Sequence, residues 1–437
     1  MKLVLKHKAP RVRQRGIALV AVLLAIAMAL VISNQFGTAT STDLISAANY
    51  RDQVRAHFLA RSAQNLGELV IRIQQRLDNV KELRGQVQIT DYADQLLLPF
   101  CGGAEEVQAA VGFSAGQIKG LGADIGTCGF NGPLRTEDDK LNVNCAVNDG
   151  GWPALKSFLD AMLFFPAYDA VFDENAADSW HRDRARQVAA LIDYIDKDSM
   201  HLRDRGSVED YGYESLPSRY YAKNNYIDSV AELHLVRGVD DRFWTMFGDV
   251  FTVYGGCKTN LSTATNVQLL AATLYLAAKN PNDPVLSEPR RLFMLASVVA
   301  KAREMGEVFL KVDDFVAFVK DPSAQVSMLA RTGTGTMAGS AANAALQAGI
   351  PGLQSGERIG LELDKTKLTQ IAVFGPRRTY RVEAWGEIER KQKNKDGSLL
   401  YPAIRSTITG IWDTKVVPQN VRKSPVPNGA WVYLKED

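Results

Sequence analysis

Arg13-Gln-Arg-Gly16-Ile17-Ala-Leu-Val-Ala21-Val-Leu-Leu-Ala-Ile-Ala-Met28 is the stretch that decides how this chain is built. Ahead of it and into its first residues, positions 1–15 hold Lys2, Lys6, Lys8, Arg11, Arg13 and Arg15 and no acidic side chain. From Ile17 to Ile32 the chain is apolar without interruption. An ordinary secretory signal has its small-residue cleavage site after the apolar stretch. Here the glycine stands before it. A cut between Gly16 and Ile17 therefore leaves the apolar run on the mature chain as its N-terminus. Residues 17–32 rise about 24 Å as a helix, slightly short of a ~30 Å hydrocarbon core, and Ser33 to Phe36 complete the span at the interface. The basic residues hold the N-terminus on the cytoplasmic side and put the bulk of the chain outside. The alternative is a plain signal anchor, cut later near Gly37-Thr38-Ala39-Thr40.

Charge and cysteines agree with an external location. The whole chain is at +2, and removing the six basic residues of the leader takes it to −4. No basic excess remains to suggest nucleic-acid binding. Four cysteines, Cys101, Cys128, Cys145 and Cys257, allow two disulfides in an oxidising compartment. Three pairings are open, of which Cys101 with Cys128 and Cys145 with Cys257 is the expected one. None forms a C-x-x-C pair, so a zinc or thioredoxin-like site has little support. With 437 residues and 46% hydrophobic composition, the chain is long enough for two or more cores.

Beyond the apolar run the helical period continues. Leu59, Ser62, Leu66, Leu69, Ile73 and Leu77 fall at intervals of three and four and predict one apolar stripe, with Arg61, Gln64, Glu68, Arg72, Gln75 and Arg76 on the other side. A single helix from about Ile17 to about Leu77 would be roughly 90 Å long. Gly102 to Gly151 is glycine-rich and irregular, with Leu141-Asn-Val-Asn144 as a short strand. A long helical region follows from about Trp152 to about Gln347. Ser229-Val-Ala-Glu232 is a capping box, Gly238 stands where a C-terminal glycine belongs, and Asp240 caps the next segment. The tail changes period. Thr379–Ile388 alternates strictly, Ala403–Trp412 less so, and Ala430–Leu434 ends the pattern, with Lys391–Gly397 as a charged turn. A helical block between a long helix and the sheet it should cover reads as an insertion into an α+β domain.

The leader resembles the class III leaders of type IV pilins and pseudopilins, which prepilin peptidase cuts before the apolar segment. Taken with Leu141-Asn-Val-Asn144, Leu191-Ile-Asp-Tyr-Ile-Asp-Lys-Asp198, Ser229-Val-Ala-Glu-Leu-His-Leu-Val-Arg-Gly-Val239, Thr259-Asn-Leu-Ser-Thr-Ala264 and Tyr380-Arg-Val-Glu-Ala-Trp385, the chain resembles the minor pseudopilin K (GspK) family of type II secretion systems. The resemblance implies an α+β fold: a pilin-like long N-terminal α-helix packed on a small antiparallel β-sheet, with a large all-α domain inserted. The expected boundaries are a leader over 1–16, a transmembrane segment over 17–36 and an amphipathic continuation over 37–80. The first part of the pilin-like domain then spans 81–146, the inserted helical domain 147–365 and the antiparallel β part 366–437.

The same resemblance implies function by assembly rather than catalysis. Its partners are the minor pseudopilins I and J at the tip of the pseudopilus, with prepilin peptidase as processing enzyme, and its place is the bacterial inner membrane, single-pass, with the bulk periplasmic. Most pseudopilins have Glu at mature position five, which is thought to meet the free amine of a neighbour. Here that position is Ala21, which suits a subunit with nothing ahead of it. About 200 inserted residues would also obstruct a subunit stacked above. Calcium is a further implied ligand. Asp193, Asp196 and Asp198 supply hard oxygen atoms within six residues, with Glu209, Asp210 and Glu214 as weaker candidates, although the spacing is not that of an EF-hand.

Other patterns compete weakly. Gly112-Phe-Ser-Ala-Gly116 imitates a nucleophile elbow, but no following helix or Asp/His order supports a hydrolase. Gly333-Thr-Gly335-Thr-Met-Ala338 lacks the βαβ unit of a dinucleotide site. Leu233-His-Leu-Val-Arg-Gly-Val239 resembles a helix-hairpin-helix, the feature of a DNA-uptake protein, but Asp240-Asp241 and the −4 charge oppose phosphate binding. A minor pilin of a type IV pilus shares the leader and remains the nearest alternative.

Overall fold

The computed structural model describes residues 15–80, 83–84, 87–101, 126–147, 151–172, 174–175, 181–202, 212–215, 218–304, 309–322, 359–390, 401–416 and 429–437. In chain order the helices are α1 Arg15–Asn79, α2 Ala93–Cys101, α3 Trp152–Leu163, α4 Arg184–Asp193, α5 Asp241–Phe247, α6 Val267–Ala277, α7 Pro284–Ser287, α8 Pro289–Glu304, α9 Val312–Lys320 and α10 Lys365–Ile371. The strands are β1 Thr127–Phe130, β2 Arg135–Thr136, β3 Leu141–Asn142, β4 Glu174–Asn175, β5 His181–Arg182, β6 Phe251–Thr252, β7 Thr259–Asn260, β8 Ala372–Val373, β9 Thr379–Ile388, β10 Ile404–Asp413 and β11 Ala430–Glu436. This is the expected α+β arrangement: a long N-terminal helix on a small sheet, with a large helical region between helix and sheet. The main sheet runs β1-β9-β10-β11, and β2 also pairs with β9. The β10–β11 and β2–β9 pairings are antiparallel. The chain forms two compact units, one drawn from residues up to 63, 98–129 and 385–407, the other from 64–97, 130–384 and 408–437.

The helix is one element, as its period predicts, but the face it buries is not the predicted stripe. Its buried residues are Asp52, Ala56, Ala60, Ala63, Gln64, Gly67, Val70, Ile71, Gln74 and Asp78, while Leu69 and Ile73 are 52% and 42% exposed. The reason is close approach. In the first unit a Cβ at Gly386 would overlap the Ala56 carbonyl and stand 2.5 Å from the Ala60 nitrogen, so helix and strand backbones touch there. In the second unit a Cβ at Gly67 would be 3.0 Å from the Phe130 ring and 3.1 Å from Val382. Only small residues fit at these two close approaches, and Leu69 and Ile73 lie off the buried face.

Buried Asp52, Gln74 and Asp78 on α1 have polar partners. In the first unit Asp52 accepts from Arg51 at 2.9 Å and Arg390 at 2.7 Å. Cys101 and Cys128 form a disulfide in the same unit. In the second unit Gln74 donates to Asp78 and to the Val87 carbonyl and accepts from the Ile89 N–H, which fixes how the chain leaves α1. Glu68 accepts from the Trp431 indole at 3.0 Å, and Arg72 lies 5.0 Å over the Trp412 ring.

The helical region, also in the second unit, is closed twice by the same device. Strand β3 runs parallel to β6, and β7 runs parallel to β8. Asn142 donates to the Gly255 carbonyl and accepts from the Asn144 N–H. Asn260 does the same with the Gly375 carbonyl and the Ser262 N–H. Gly255 and Gly375 have φ of +83° and +134°, which L side chains rarely adopt. Each two-residue bridge pins the mouth of a helical loop, α3–α5 in the first and α6–α10 in the second. The Cys145–Cys257 disulfide closes the first loop covalently. Both loops share one core, in which Leu269, Leu270, Ala271, Ala272, Leu274 and Ala277 of α6 are fully buried and packed by α3 and α8.

A charged seam fastens the start of this region to β9. Glu137 accepts from Arg381 at 2.5 Å and from the Thr252 hydroxyl at 2.7 Å. Asp138 accepts the N–H groups of Arg378 and Thr379, and Arg378 makes a bidentate pair with Asp413. Capping follows the predicted pattern in part. Ser229 and Glu232 form the capping box, and Asp240 accepts from the Phe243 N–H at 2.9 Å. Residues Val230–Leu235, however, form a 3-10 turn rather than the predicted α-helix, and Gly238 has φ +83°. The predicted turn at 391–397, the elbow-like Gly112–Gly116 and the Gly333–Ala338 loop lie outside the described residues.

Candidate functional site

Two features have chemistry to offer: the apolar end of α1, and the acidic turn that follows α4. On α1, the segment from Ala18 is long and apolar enough to cross a membrane, and none of its apolar window is buried. Leu19, Leu23, Ile26, Leu30 and Ile32 are each more than half exposed. Such a helix gains nothing from water and needs an apolar solvent or other helices around it. Gly16 and Ile17 belong to this helix by backbone, and Ala21 sits on it with no carboxylate to desolvate. Further along α1, Val54 and Phe58 in the first unit and Leu69 and Ile73 in the second stay exposed.

The acidic turn starts where α4 ends. Asp193 is fully buried, and both its carboxylate oxygens accept the Leu202 N–H, at 3.2 and 3.1 Å. The His201 Nδ1 is 3.7 Å from Asp193 Oδ2. Asp198 is exposed and accepts from the Met200 N–H at 2.7 Å. Asp196 lies between them. Burial, reinforced by the Asp193 and Asp198 charges, pushes its carboxyl up to about 7, and its Oδ1 is buried with no hydrogen bond.

Asn224, which the sequence reading did not single out, joins this turn. Its side-chain amide donates to the Asp198 carbonyl at 2.8 Å, and its backbone N–H donates to the Tyr194 carbonyl at 3.1 Å. It has φ +47°, the one non-glycine residue with positive φ among those described, and its Oδ1 is buried without a donor. A strained asparagine is a signal that sequence can suggest only through the residue's tolerance of the left-handed region. Glu214 is exposed in a 3-10 turn over Tyr213–Ser215, while Glu209 and Asp210 lie outside the described residues. Among the described residues no group of three or more His, Cys, Asp or Glu side chains is arranged to hold a metal ion. The turn thus concentrates negative charge and leaves Asp196 Oδ1 and Asn224 Oδ1 buried without a hydrogen bond.

The hairpin between Ser229 and Phe247 directs little toward an anion. Asp240 caps α5 and pairs with Arg182 at 2.7 Å and Arg242 at 3.5 Å, and the Lys223 ammonium is held by Glu232 at 2.6 Å. His234 stacks on Trp244 with ring centroids 4.3 Å apart.

The family model described as Type II secretion system (T2SS), protein K, matches residues 140–255. The matched stretch lies between β2 and β9 in sequence. Its limits coincide with the first closed helical loop, from the start of β3 to Gly255, the glycine that Asn142 holds. The crystal structure of the GspK-GspI-GspJ complex from the enterotoxigenic Escherichia coli type 2 secretion system contains a chain that this one matches. The two share 13% identity at a TM-score of 0.45, over 90% of this chain and 99% of that one. No curated protein matches the sequence.

Proposed function

We propose that the protein acts as a minor pseudopilin of type II secretion, stationed at the tip of a periplasmic pseudopilus. The observation that carries this reading is the match of residues 140–255 to the protein K family model in a chain whose helix α1 begins with an unburied apolar window. Prepilin peptidase would cut between Gly16 and Ile17, and α1 would then anchor the chain in the inner membrane with its bulk in the periplasm. Association with the minor pseudopilins I and J uses Leu69 and Ile73, apolar side chains that the second unit leaves exposed. Ala21 and the bulk of the insert both favour the end of the filament over its middle. The role is assembly, not catalysis. Co-purification from membranes tests it: I and J pseudopilins should accompany the wild-type chain and be lost from Leu69→Glu/Ile73→Glu. Recovery with pilus proteins instead would favour a type IV pilus, and tight DNA retention would favour uptake.

Calcium belongs to the same proposal. Asp193, Asp196, Asp198 and Asn224 would hold it, and the ion would supply positive charge to oxygen atoms that now repel one another. Calcium should raise the melting temperature of the full-length chain in detergent, and Asp196→Asn should abolish the shift. No shift in the wild-type chain contradicts the site.

A further inference from the structure

A polar cleft at the start of α6 takes no part in the function proposed above. It measures about 430 Å³, within the range of ligand sites, and is lined by Arg135, Asp139, Lys140, Asp249, Asn266 and Arg377 among others. We propose that this cleft binds an oxyanion, a phosphate or carboxylate group, held between Arg135, Lys140, Arg377 and the N-terminal end of α6. The lining contains no aromatic side chain and its apolar residues are Pro133 and Leu134, so an apolar ligand has little to rest on.

The charges are distributed to favour an anion. Arg377, with a side chain 8% exposed, gives its Nη1 to Thr90 and to Asp91, which neutralises Asp91, and its Nε remains buried without a partner. Arg381 at 2.5 Å and Lys140 at 3.4 Å share the single Glu137 carboxylate, so the trio carries one net positive charge beside the cleft. Arg135 is exposed and makes no ion pair among the described residues. Asp139 is pushed up to about 7 by burial, opposed by Lys140 and Arg377 and assisted by Glu137 and Asp138, so it holds a proton in much of the population near neutrality. That leaves Asp249 as the remaining carboxylate, against two cations and a helix terminus. Thr263, Thr265 and Asn266 bring the positive end of α6, an 11-residue helix, to the wall of the cleft.

Full-length chain in detergent, titrated with inorganic phosphate and separately with a short acidic peptide, tests the proposal by calorimetry, with chloride at equal ionic strength as control. Phosphate should bind, and sulfate, which keeps the same charge from pH 6 to pH 8, should bind more tightly at pH 6 as Asp139 takes up its proton. Arg135→Glu changes an exposed side chain, and Asn266→Asp keeps a good cap while adding negative charge. Each should weaken binding by about tenfold or more. Competition in which the peptide displaces phosphate identifies a polypeptide carboxylate as the ligand, and binding of phosphate alone identifies a free oxyanion. Absence of binding by both, or affinity unchanged in both variants, overturns the proposal.

Discussion

Gly386→Ala adds one methyl group at the point where β9 touches α1. The new Cβ would overlap the Ala56 carbonyl oxygen and lie 2.5 Å from the Ala60 nitrogen and 2.7 Å from the Leu59 Cβ. Two of those three atoms are backbone of a helix already held by Ala56 and Ala60 at zero exposure, so no side-chain rotation relieves the clash. Overpacking of this kind costs about 1–3 kcal/mol, and removing a strand glycine returns roughly 0.5–1 kcal/mol of backbone entropy. The net expectation is a loss of about 1–2 kcal/mol, or about 2–8 °C in the melting of a unit of this size. Scanning fluorimetry of the full-length chain reads it, with hydrogen exchange of peptides covering residues 52–63 to show where the loss occurs. Two controls separate the seam from a general effect. Gly37→Ala, with nothing within 4 Å of its Cβ, should be neutral or stabilising by up to about 1 kcal/mol. Leu69→Ala, 52% exposed, should cost less than about 1 kcal/mol, well below a buried truncation. If Leu69→Ala proves costlier than Gly386→Ala, the helix packs through its leucine stripe and the small-residue seam is wrong.

Asp139 should make stability fall as pH rises. Its folded pKa of about 7 lies above the ordinary 3.8, so the folded state binds the proton more tightly, and stability grows as pH drops from 8 through 7 toward 4. Asp139→Asn, measured in phosphate-free buffer, should melt higher than wild type at pH 8 and show a flatter profile; a steeper one would refute the assignment. Reduction of both disulfides should destabilise the chain. The Cys145–Cys257 bridge, with a sequence separation of 112, contributes about 5 kcal/mol by the chain-entropy relation, against about 4 kcal/mol for Cys101–Cys128 with a separation of 27. Cys145→Ser/Cys257→Ser should therefore lower the melting temperature more than Cys101→Ser/Cys128→Ser, and the reverse order would contradict that ranking.

Element types were largely legible, because they rest on period and on local caps. The long helix, the capping box at Ser229, the Asp240 cap and the alternation of Thr379–Ile388 all announce themselves within a few residues. The buried face of α1 did not. Hydrophobic counting finds Leu59, Leu66, Leu69 and Ile73, whereas backbone contact at Gly386 selects Ala56 and Ala60, residues with little hydrophobic weight. Buried Gln74 and Asp78 look like a solvated face until their partners are known. The two Asn–Gly clasps were hidden for another reason: a two-residue parallel bridge has no period, and its halves lie more than a hundred residues apart. Asn142 and Asn260 were visible only as members of the short strings Leu141–Asn144 and Thr259–Ala264. Asn224 escaped the acidic-turn reading because its tie to Asp198 crosses 26 positions and it bears no charge.

Where the chain is cut decides whether α1 exists as a membrane stalk at all. N-terminal sequencing and intact mass of the protein extracted from membranes containing prepilin peptidase measure this directly. The account predicts a mature chain beginning at Ile17, with Gly16→Ala leaving the longer, uncut form. A mature chain that begins beyond Phe36 would remove the stalk and contradict the assignment of this protein to a pseudopilus.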